Sequence, residues 1–433
     1  MRCTSLAIIF ILILTTFSCR SVSASVKDDI SADLSFIADN MLSTNDDSVI
    51  QVIHGSNFIS EKDDSAFSQT NGIYLSEVSK ASFEVDIPEN GKYHLQIRYR
   101  FESDWIQSES IIIRWADGEL VSALSGVWIS AKEPNQVDRY GNEITPEPEL
   151  SDIAINSYVR DLAALTSAPY TFELSEGIHR FYLAEPTVPV VIESVTVLRK
   201  LPLPLYDNEK PYPNIEGVES IVIEGEDYAL KSDSHIRAGN SGSSYVYPRR
   251  GDVRLLNILD GSSWKHTGQK VVWTFMVDVP GFYGFSYNYS QDSMEGIPVV
   301  RNIAINGIIP FKQFNNFMFP YTGDRFKTLT MSDKDDRPHR IWLDRGKHII
   351  SMEADAAPYS EIILNLREIV AEINDTGIEI RKVTGNNQDL NRTWNITRHI
   401  PDIAERLNGW ADDIEASFLE LHRICVVTSW MSM

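Results

Sequence analysis

Cysteine is scarce in this chain of 433 residues. Cys3 and Cys19 lie near the N-terminus, Cys425 lies near the C-terminus, and no cysteine lies between Cys19 and Cys425. A disulfide framework across the interior is therefore excluded. The domains must depend on hydrophobic cores, for which a hydrophobic fraction of 43% is sufficient. The length leaves room for two or three domains.

Positive charge is also scarce, and the net charge is −22. Because nucleic acid and anionic lipid both attract basic proteins, this balance argues against either of them as a partner. It is compatible with neutral sugars and with divalent cations. We interpret its main effect as keeping the protein soluble.

Catalytic and nucleotide-binding motifs are missing. The chain contains no glycine-rich phosphate loop, no GxSxG elbow, no HExxH and no CxxC. His179 and His348 occupy equivalent places after a glycine turn, which favours strand-start residues over catalysts. Carboxylates are so numerous that no spacing singles out a glycosidase pair. We therefore expect no enzymatic activity.

Only one long hydrophobic run occurs, at residues 6–14, behind the positive charge of Arg2. This pattern predicts a secretory signal peptide over residues 1–24, with a small-residue cleavage site ending at Ala24. The alternative is lipidation of Cys19, as in bacterial lipoproteins. Both models place the mature protein outside the cytoplasmic membrane, either secreted or held at the cell surface.

Alternation with period 2 dominates the middle of the chain, as at Phe83, Val85 and Ile87. Period 2 bounded by turn residues is typical of strands. After a polar leader (residues 25–47), we predict a β-sandwich at 48–200, a proline-rich linker at 201–218 and a second sandwich at 219–358.

The two sandwiches read as copies of one unit. Residues 83–99 match 275–289, with a two-residue insertion in the first copy, and residues 174–179 match 343–348. The ends of the first strands correspond as well. Three matches in the same order indicate duplication.

Helical periodicity replaces period 2 after residue 358. Two apolar stripes at helical spacing predict an antiparallel α-helical hairpin at 359–424; they are Ile362, Leu366, Ile369, Ile373 and Ile380, and then Ile403, Leu407, Trp410, Ile414 and Leu421. Residues 425–433 break the pattern. We interpret them as an aberrant tail on a truncated or frame-shifted product.

Two carboxylates mark the strand that opens the second sandwich, in the segment IVIEGEDY at residues 221–228. Residues i and i+2 of a strand share one face, so Glu224 and Glu226 could converge on one cation. Asp355 is a third ligand if the first and last strands adjoin, and calcium suits such a set of oxygens. The alternative is a solvated acidic strand end. His54 and Ser56 stand at the equivalent places of the first sandwich, where no matching site is expected.

Aromatic side chains in loops are candidates for sugar binding, because their faces stack on pyranose rings. Trp264, in the glycine- and serine-rich loop DGSSWKHTG, is the best exposed candidate. Phe317 and Tyr321 lie in a second aromatic loop, with Asn315 beside them. Each aromatic residue could instead be a core side chain under a long loop.

The segment IEGEDY resembles the first strand of carbohydrate-binding modules of families 6 and 35. That resemblance implies a jelly-roll sandwich with a structural calcium site to which Glu224 and Glu226 contribute.

Over most of its length the chain also resembles the N-terminal half of large extracellular solute-binding proteins of carbohydrate ABC transporters from Paenibacillus-like bacteria. The segments that carry this resemblance are IVIEGEDY, GQKVVWTFMVDVPGFY, LDRGKH and HIPDIAERL. In that family a two-lobed binding domain follows the helices, whereas this chain ends at Met433. The departure puts solute capture by this polypeptide in doubt and leaves the accessory glycan-binding region.

The expected fold is mainly β, with two tandem jelly-roll-like β-sandwiches followed by an α-helical hairpin. The expected function is non-catalytic binding of a polysaccharide or oligosaccharide, as part of a solute-binding protein that serves an ABC permease. One alternative is a structural or adhesive surface spacer, which predicts a buried Trp264 and no aromatic groove. Another is an accessory module of a secreted glycoside hydrolase.

Overall fold

The structure is a computed structural model. It describes most of the chain, namely residues 6–11, 34, 36–38, 40, 49–60, 66–69, 72–102, 109–130, 136–207, 220–248, 251–385 and 393–430. The chain forms two compact units, residues 1–355 and 356–433. The first unit is built of β-sheets and the second of helices, so the predicted fold class is confirmed. No helix in the described part of the chain is long and apolar enough to span a membrane.

The first strand in chain order, β1 (Leu6–Ile11), belongs to the second sandwich. The strands from the first half of the unit are β2 (Val49–His54), β3 (Ile59–Ser60), β4 (Ala66–Gln69), β5 (Gly72–Leu75), β6 (Lys80–Ile87), β7 (Gly91–Phe101), β8 (Glu109–Trp115), β9 (Gly118–Leu124), β10 (Trp128–Ser130), β11 (Pro148–Leu150), β12 (Ile155–Tyr158), β13 (Phe172–Leu174), β14 (Gly177–Ala184) and β15 (Val190–Arg199).

Two antiparallel sheets form the first sandwich. One has the order β12-β7-β15-β5-β4, with β2 paired to β15 and β13 to β7, and the other has the order β3-β6-β14-β8-β9. The alternation of the sequence explains the core between them, because inward residues such as Phe83, Val85 and Ile97 are buried.

The second half of the unit contributes β16 (Val222–Ile223), β17 (Leu230–Lys231), β18 (Ala238–Gly239), β19 (Ile258–Leu259), β20 (Lys270–Val277), β21 (Gly281–Gly284), β22 (Ser286–Gln291), β23 (Val299–Ile305), β24 (Phe317–Phe319), β25 (Lys327–Thr330), β26 (Arg340–Leu343) and β27 (Gly346–Asp355). One sheet has the order β18-β19-β1-β22-β25, with β16 on β1, and the facing sheet has the order β11-β10-β17-β20-β27-β23-β24. Strands β21 and β26 form a separate pair.

The structure supports the predicted duplication at matching side chains. The Tyr93 hydroxyl donates to the carbonyl of Glu89 at 2.7 Å, and the Tyr283 hydroxyl donates to the carbonyl of Val279 at 2.6 Å. The Nε2 atoms of the two repeated histidines lie 2.7 and 2.8 Å from the carbonyl oxygen four residues before each of them. His179 and His348 therefore tie the turns at the start of β14 and β27, as their repeated position predicts.

The two sandwiches share one sheet. Strand β10, from the first half, pairs with β17 of the second through Trp128 and Lys231. Val272 and Ile349, on the outer face of that sheet, belong to the hydrophobic core of the first sandwich. The predicted linker is described at residues 201–207, where Tyr206 is buried and its hydroxyl accepts a hydrogen bond from the Arg340 amide at 3.0 Å. Residues 208–219 lie outside the described residues.

Part of the predicted signal peptide is a strand of this fold. Leu6–Ile11 pairs antiparallel with β22, with Ile8 opposite Tyr289 and Ile9 opposite Asn288. Cys19 and the cleavage site before residue 25 lie outside the described residues, as does most of the polar leader at 25–47. The role of residues 1–24 as a signal stays a prediction.

The second unit contains α1 (Ser360–Thr384), α2 (Ile396–His399) and α3 (Ile403–Trp430). Trp410 on α3 is buried, and its Nε1 donates to Glu372 on α1 at 2.6 Å. Only part of each predicted stripe is covered, since Ile373 of the first is 42% exposed and Leu407 of the second is 54% exposed. The break expected at residue 425 is wrong, because α3 continues to Trp430.

Candidate functional site

A cavity of about 610 Å³ lies between the two sandwiches. Strands β7 and β12 of the first sandwich supply His94 and Tyr158 to its wall. Strands β20, β23 and β27 of the second supply polar side chains from their outer face, and residues 201–204 of the linker supply leucine and proline. A cavity of this size, apolar in part and with a few converging polar groups, has the properties of a small-molecule site.

Three charged side chains meet at the cavity. The Arg160 guanidinium is paired with one carboxylate oxygen of Glu353, and the Lys270 ammonium lies 3.1 Å from the other. The three side chains are only 11%, 14% and 18% exposed, in the order Arg160, Glu353 and Lys270. Arg160 belongs to the first sandwich and the other two to the second, so this cluster joins the two halves of the cavity.

A hydrogen-bond network around Asp355 also lies at this interface. The carboxylate of Asp355 accepts hydrogen bonds from the Ser167 hydroxyl at 2.8 Å and from the Asn302 amide at 2.7 Å. Asp355 is therefore engaged at the sandwich interface. Its predicted place as a third cation ligand is wrong, because it required the first strand of the repeat to adjoin β27, and β16 pairs with β1 instead. The sequence does not reveal this, since strand order depends on distant pairing.

Burial shifts the pKa values of two ring side chains that line the cavity, His94 and Tyr158. It lowers the pKa of His94, whose Nδ1 lies 2.9 Å from the Tyr170 carbonyl oxygen, and it raises the pKa of Tyr158. Both shifts favour the neutral form near neutral pH. The rings meet edge to face, with centroids 6.1 Å apart. They offer the cavity an uncharged aromatic wall.

Trp264 is not exposed, so the expectation from its loop is wrong. Its side chain has 0% exposure, and its Nε1 donates to the Gln269 carbonyl at 2.9 Å. The Arg301 guanidinium lies 4.3 Å from the ring centroid, and burial lowers the pKa of Arg301 to about 9. A short 3₁₀ turn at Gly261–Ser263, capped by Asp260, precedes Trp264 at the point where its side chain enters the core.

The second aromatic loop is divided between core and cavity. Asn315 lines the cavity, and its role in ligand binding stays a prediction. Phe317 lies on β24 and packs against Phe319, with ring centroids 5.0 Å apart, and it is not part of the cavity wall. Tyr321 is half-buried outside that wall. Tyr158, Arg160 and Glu353 are not among the residues that the sequence predicts. The only sequence signal for Glu353 is a charged residue within the apolar strand β27, and Tyr158 and Arg160 carry none.

Glu224 and Glu226 are close in the structure, though not on a strand. The strand ends at Ile223, and residues 225 and 226 form a turn in which the Asp227 amide donates to the Glu224 carbonyl at 3.1 Å. The expected same-face strand geometry is therefore wrong. The indole Nε1 of Trp273 donates to the Gly225 carbonyl at 3.1 Å, which holds the turn on the core.

The electrostatics of this turn are unfavourable for carboxylates alone. Burial, with Glu224, Asp227 and Glu143 adding negative charge, raises the pKa of Glu226 to about 8. Its Oε2 is buried and has no hydrogen-bond partner among the described residues. Glu143 belongs to the first half of the chain. Its carboxylate accepts a hydrogen bond from the amide of Leu256, in the second half, at 2.5 Å. Within the described residues, no three acidic, histidine or cysteine side chains are gathered as a ready metal site.

Comparison with known proteins supplies one family match. Residues 361–429 match the family described as bacterial solute-binding protein, 4-helix bundle domain. The helical unit is thus similar to a part of solute-binding proteins. No curated protein matches the chain.

Solved structures resemble parts of the chain at low similarity. The β-(1,4)-mannanase of Podospora anserina is 14% identical with a TM-score of 0.21, over 38% of this chain and 31% of its own. A cycloisomaltooligosaccharide glucanotransferase of Paenibacillus sp. is 11% identical with a TM-score of 0.21, over 70% and 46%. The ANXUR2 extracellular domain of Arabidopsis thaliana is 11% identical with a TM-score of 0.18, over 73% and 85%. The chain spans less than half of the length of the two enzymes.

Proposed function

We propose that this protein is a non-catalytic, extracellular carbohydrate-binding protein related to solute-binding proteins. The observation that carries the proposal is the cavity between the sandwiches, with its aromatic wall and its charged cluster. The family match of the helical unit supports a role in solute binding. The acidic balance of the chain, −22, suits an uncharged ligand better than a polyanion.

Each wall of the cavity has a part in sugar recognition. The ring of Tyr158 and the leucine and proline side chains of residues 201–204 present apolar surface to the C–H faces of a pyranose. Arg160 and Lys270 donate hydrogen bonds to sugar hydroxyls, and Glu353 accepts hydrogen bonds from sugar hydroxyls. Asn315 adds an amide that donates and accepts. The arrangement binds and orients a short glycan segment.

A glycan array with the full chain, followed by calorimetry with the best ligand, tests this function. We expect Tyr158→Ala to weaken binding about three- to tenfold, which corresponds to the loss of one aromatic contact. The matched control is Tyr140→Ala, because Tyr140 is exposed and lies outside the cavity wall. Equal effects of the two variants, or no glycan bound by the wild-type chain, would contradict the proposal.

Delivery of a sugar to an ABC permease is the role that we propose for a protein of this kind. It requires location outside the cytoplasmic membrane, through a cleaved signal or a lipid on Cys19. Fractionation of cells that express the chain, with mass spectrometry of its N-terminus, distinguishes cleavage before residue 25 from a lipid on Cys19. An unprocessed chain in the cytosol contradicts both.

Calcium is the cofactor that we propose for the turn at Glu224 and Glu226. Calcium takes about six to eight oxygen ligands, and carboxylates with backbone carbonyls are its usual donors in proteins. The buried Oε2 of Glu226, without a partner among the described residues, supports a cation at this place. The bound ion would supply positive charge where Glu224, Asp227 and Glu143 now oppose the ionisation of Glu226.

A structural or adhesive spacer is the second candidate, and the buried Trp264 favours it. A spacer needs sandwiches that pack firmly on each other, and the shared sheet and the Arg160–Glu353 pair meet that need. The glycan array separates the two candidates, since a spacer binds no polysaccharide while its cavity remains intact.

A further inference from the structure

In the second sandwich, β1 (Leu6–Ile11) occupies the position that β15 occupies in the first sandwich. There, β15 is paired antiparallel to β2, β5 and β7. In the second sandwich, β1 is paired antiparallel to β16, β19 and β22. Strand β16 opens the second repeat as β2 opens the first. The repeated tyrosine lies in β7 in the first repeat and in β21 in the second, where β22 follows two residues later. The N-terminal strand thus stands where the last strand of the repeat should be.

The second repeat supplies no such strand from its own following sequence. In the first repeat, β14 leads into β15. In the second, β27 ends at Asp355 and the described chain continues into a 3₁₀ turn at Ala357–Tyr359 and then α1. The duplicated unit is therefore one strand short in the described part of the chain, and β1 makes up the difference.

An empty position would be costly at the centre of the sheet. Tyr287 and Tyr289 on β22 are buried, and their strand pairs with β1 on one side and with β25 on the other. Loss of β1 leaves backbone groups of β22 without strand partners. Unpaired backbone groups away from water cost free energy comparable to a lost hydrogen bond each. The position therefore demands a strand.

We propose that the second sandwich is a strand acceptor, and that Leu6–Ile11 is its donor in the full chain. The donor lies antiparallel to β22, although the other strands of its sheet begin more than 200 residues later in the chain. Where export removes residues 1–24, the acceptor position opens to an extended, apolar strand of the kind that β15 provides in the first repeat. A chain from which this segment has been removed as a signal can then no longer use it as a strand.

A pair of cysteine substitutions tests the donor in the full chain, made without export and with its native cysteines replaced by serine. Ile9 lies opposite Asn288, and Asn288 lies opposite Thr328 on the far side. We expect Ile9→Cys with Asn288→Cys to form a disulfide on oxidation. The control pair, Ile9→Cys with Thr328→Cys, is separated by one more strand and should not form a disulfide. Equal cross-linking of both pairs, or of neither in a folded chain, overturns the proposal.

A displaced donor tests the acceptor. Ile9→Pro in the full chain removes a backbone donor from the middle of β1, and Thr16→Pro, beyond the end of β1, is its control. A synthetic peptide of residues 188–200, which carries β15, is the probe. We expect it to bind the Ile9→Pro chain and raise its melting temperature, and to bind neither the control nor the wild type.

Two other outcomes overturn the assignment. If the Ile9→Pro chain has the same melting temperature as the wild type and binds no peptide, the position needs no donor. A dimer of the Ile9→Pro chain assigns the position to a strand of a second copy.

Discussion

Glu226 shows how the surroundings of a single carboxyl can keep it protonated well above its ordinary pKa. Its carboxyl is buried in a turn with Glu224 and Asp227, and Glu143 approaches from the first half of the chain. A carboxyl in such surroundings keeps its proton unless a cation compensates it. The protonation of this residue is therefore a direct indicator of whether calcium is bound.

Stability of the calcium-free protein should fall as pH rises from about 5 to 8. The folded protein holds the Glu226 proton up to a pKa of about 8, whereas the unfolded chain loses it near the ordinary value of 4.5. The unfolded state thus binds fewer protons in this window, so the free energy of unfolding decreases with pH, by roughly 2–4 kcal/mol. Chemical denaturation at a series of pH values measures the slope.

Glu226→Gln is the matched variant for this measurement, because glutamine does not titrate and fills the same volume. We expect it to flatten the slope between pH 5 and 8. Added calcium should stabilise the wild type at pH 8 and leave the variant nearly unaffected. A wild-type slope that persists in Glu226→Gln assigns the pH dependence to other groups.

At the scale of elements, the helical hairpin depends on a few buried contacts. Ile362 and Ile369 on α1 and Ile403 and Trp410 on α3 are buried, whereas other members of the same stripes are exposed. The Asn365 amide donates to the Ser417 hydroxyl at 3.0 Å, and the Arg406 guanidinium donates to Glu379 at 3.0 Å. The hairpin is thus held at discrete points along its length.

Trp410→Ala should loosen this hairpin. Trp410 is 7% exposed and its indole donates to Glu372, so its removal leaves both a void and an unpaired carboxylate partner. We expect a loss of about 3 kcal/mol, measured as faster amide exchange along α3 in the full chain. Phe418→Ala is the control, because Phe418 is 64% exposed on the same helix. Similar exchange in the two variants would contradict the assigned role of Trp410.

At the scale of the whole first unit, the two sandwiches behave as one body because a charged cluster and a shared sheet cross between them. Arg160 comes from one repeat and Glu353 with Lys270 from the other. An ion pair out of water is costly to break from one side, because the remaining charge stays buried without a partner. The interface should therefore respond strongly to a neutral substitution.

Glu353→Gln should destabilise the first unit by about 3 kcal/mol or more. The control is Glu84→Gln, because Glu84 pairs with Arg180 on the surface, where the side chains are 48% and 49% exposed. Such surface pairs contribute about 0–1 kcal/mol. Denaturant unfolding of the three chains measures the difference. If the two variants lose the same stability, the cluster does not hold the sandwiches together.

Some of the site could be predicted and some could not. The sequence places Asn315 beside a loop of aromatic residues, and Asn315 does line the cavity. A loop rich in glycine and serine predicts an exposed Trp264, whereas local capping by Asp260 sets a turn from which the indole enters the core. Tyr158 and Arg160 carry no motif, and their importance arises only where two repeats face each other.

The sequence by itself determined the strands, the two repeats and the helices, because these depend on local periodicity and on similarity between segments. The alternation alone indicates which residues face inward, and the structure buries them; examples are Phe83, Val85, Phe275 and Val277. Tertiary structure alone decided which strands adjoin, where Asp355 lies, and that Leu6–Ile11 completes a sheet whose other strands begin more than 200 residues later. Those outcomes depend on long-range pairing and burial, which local sequence patterns do not encode.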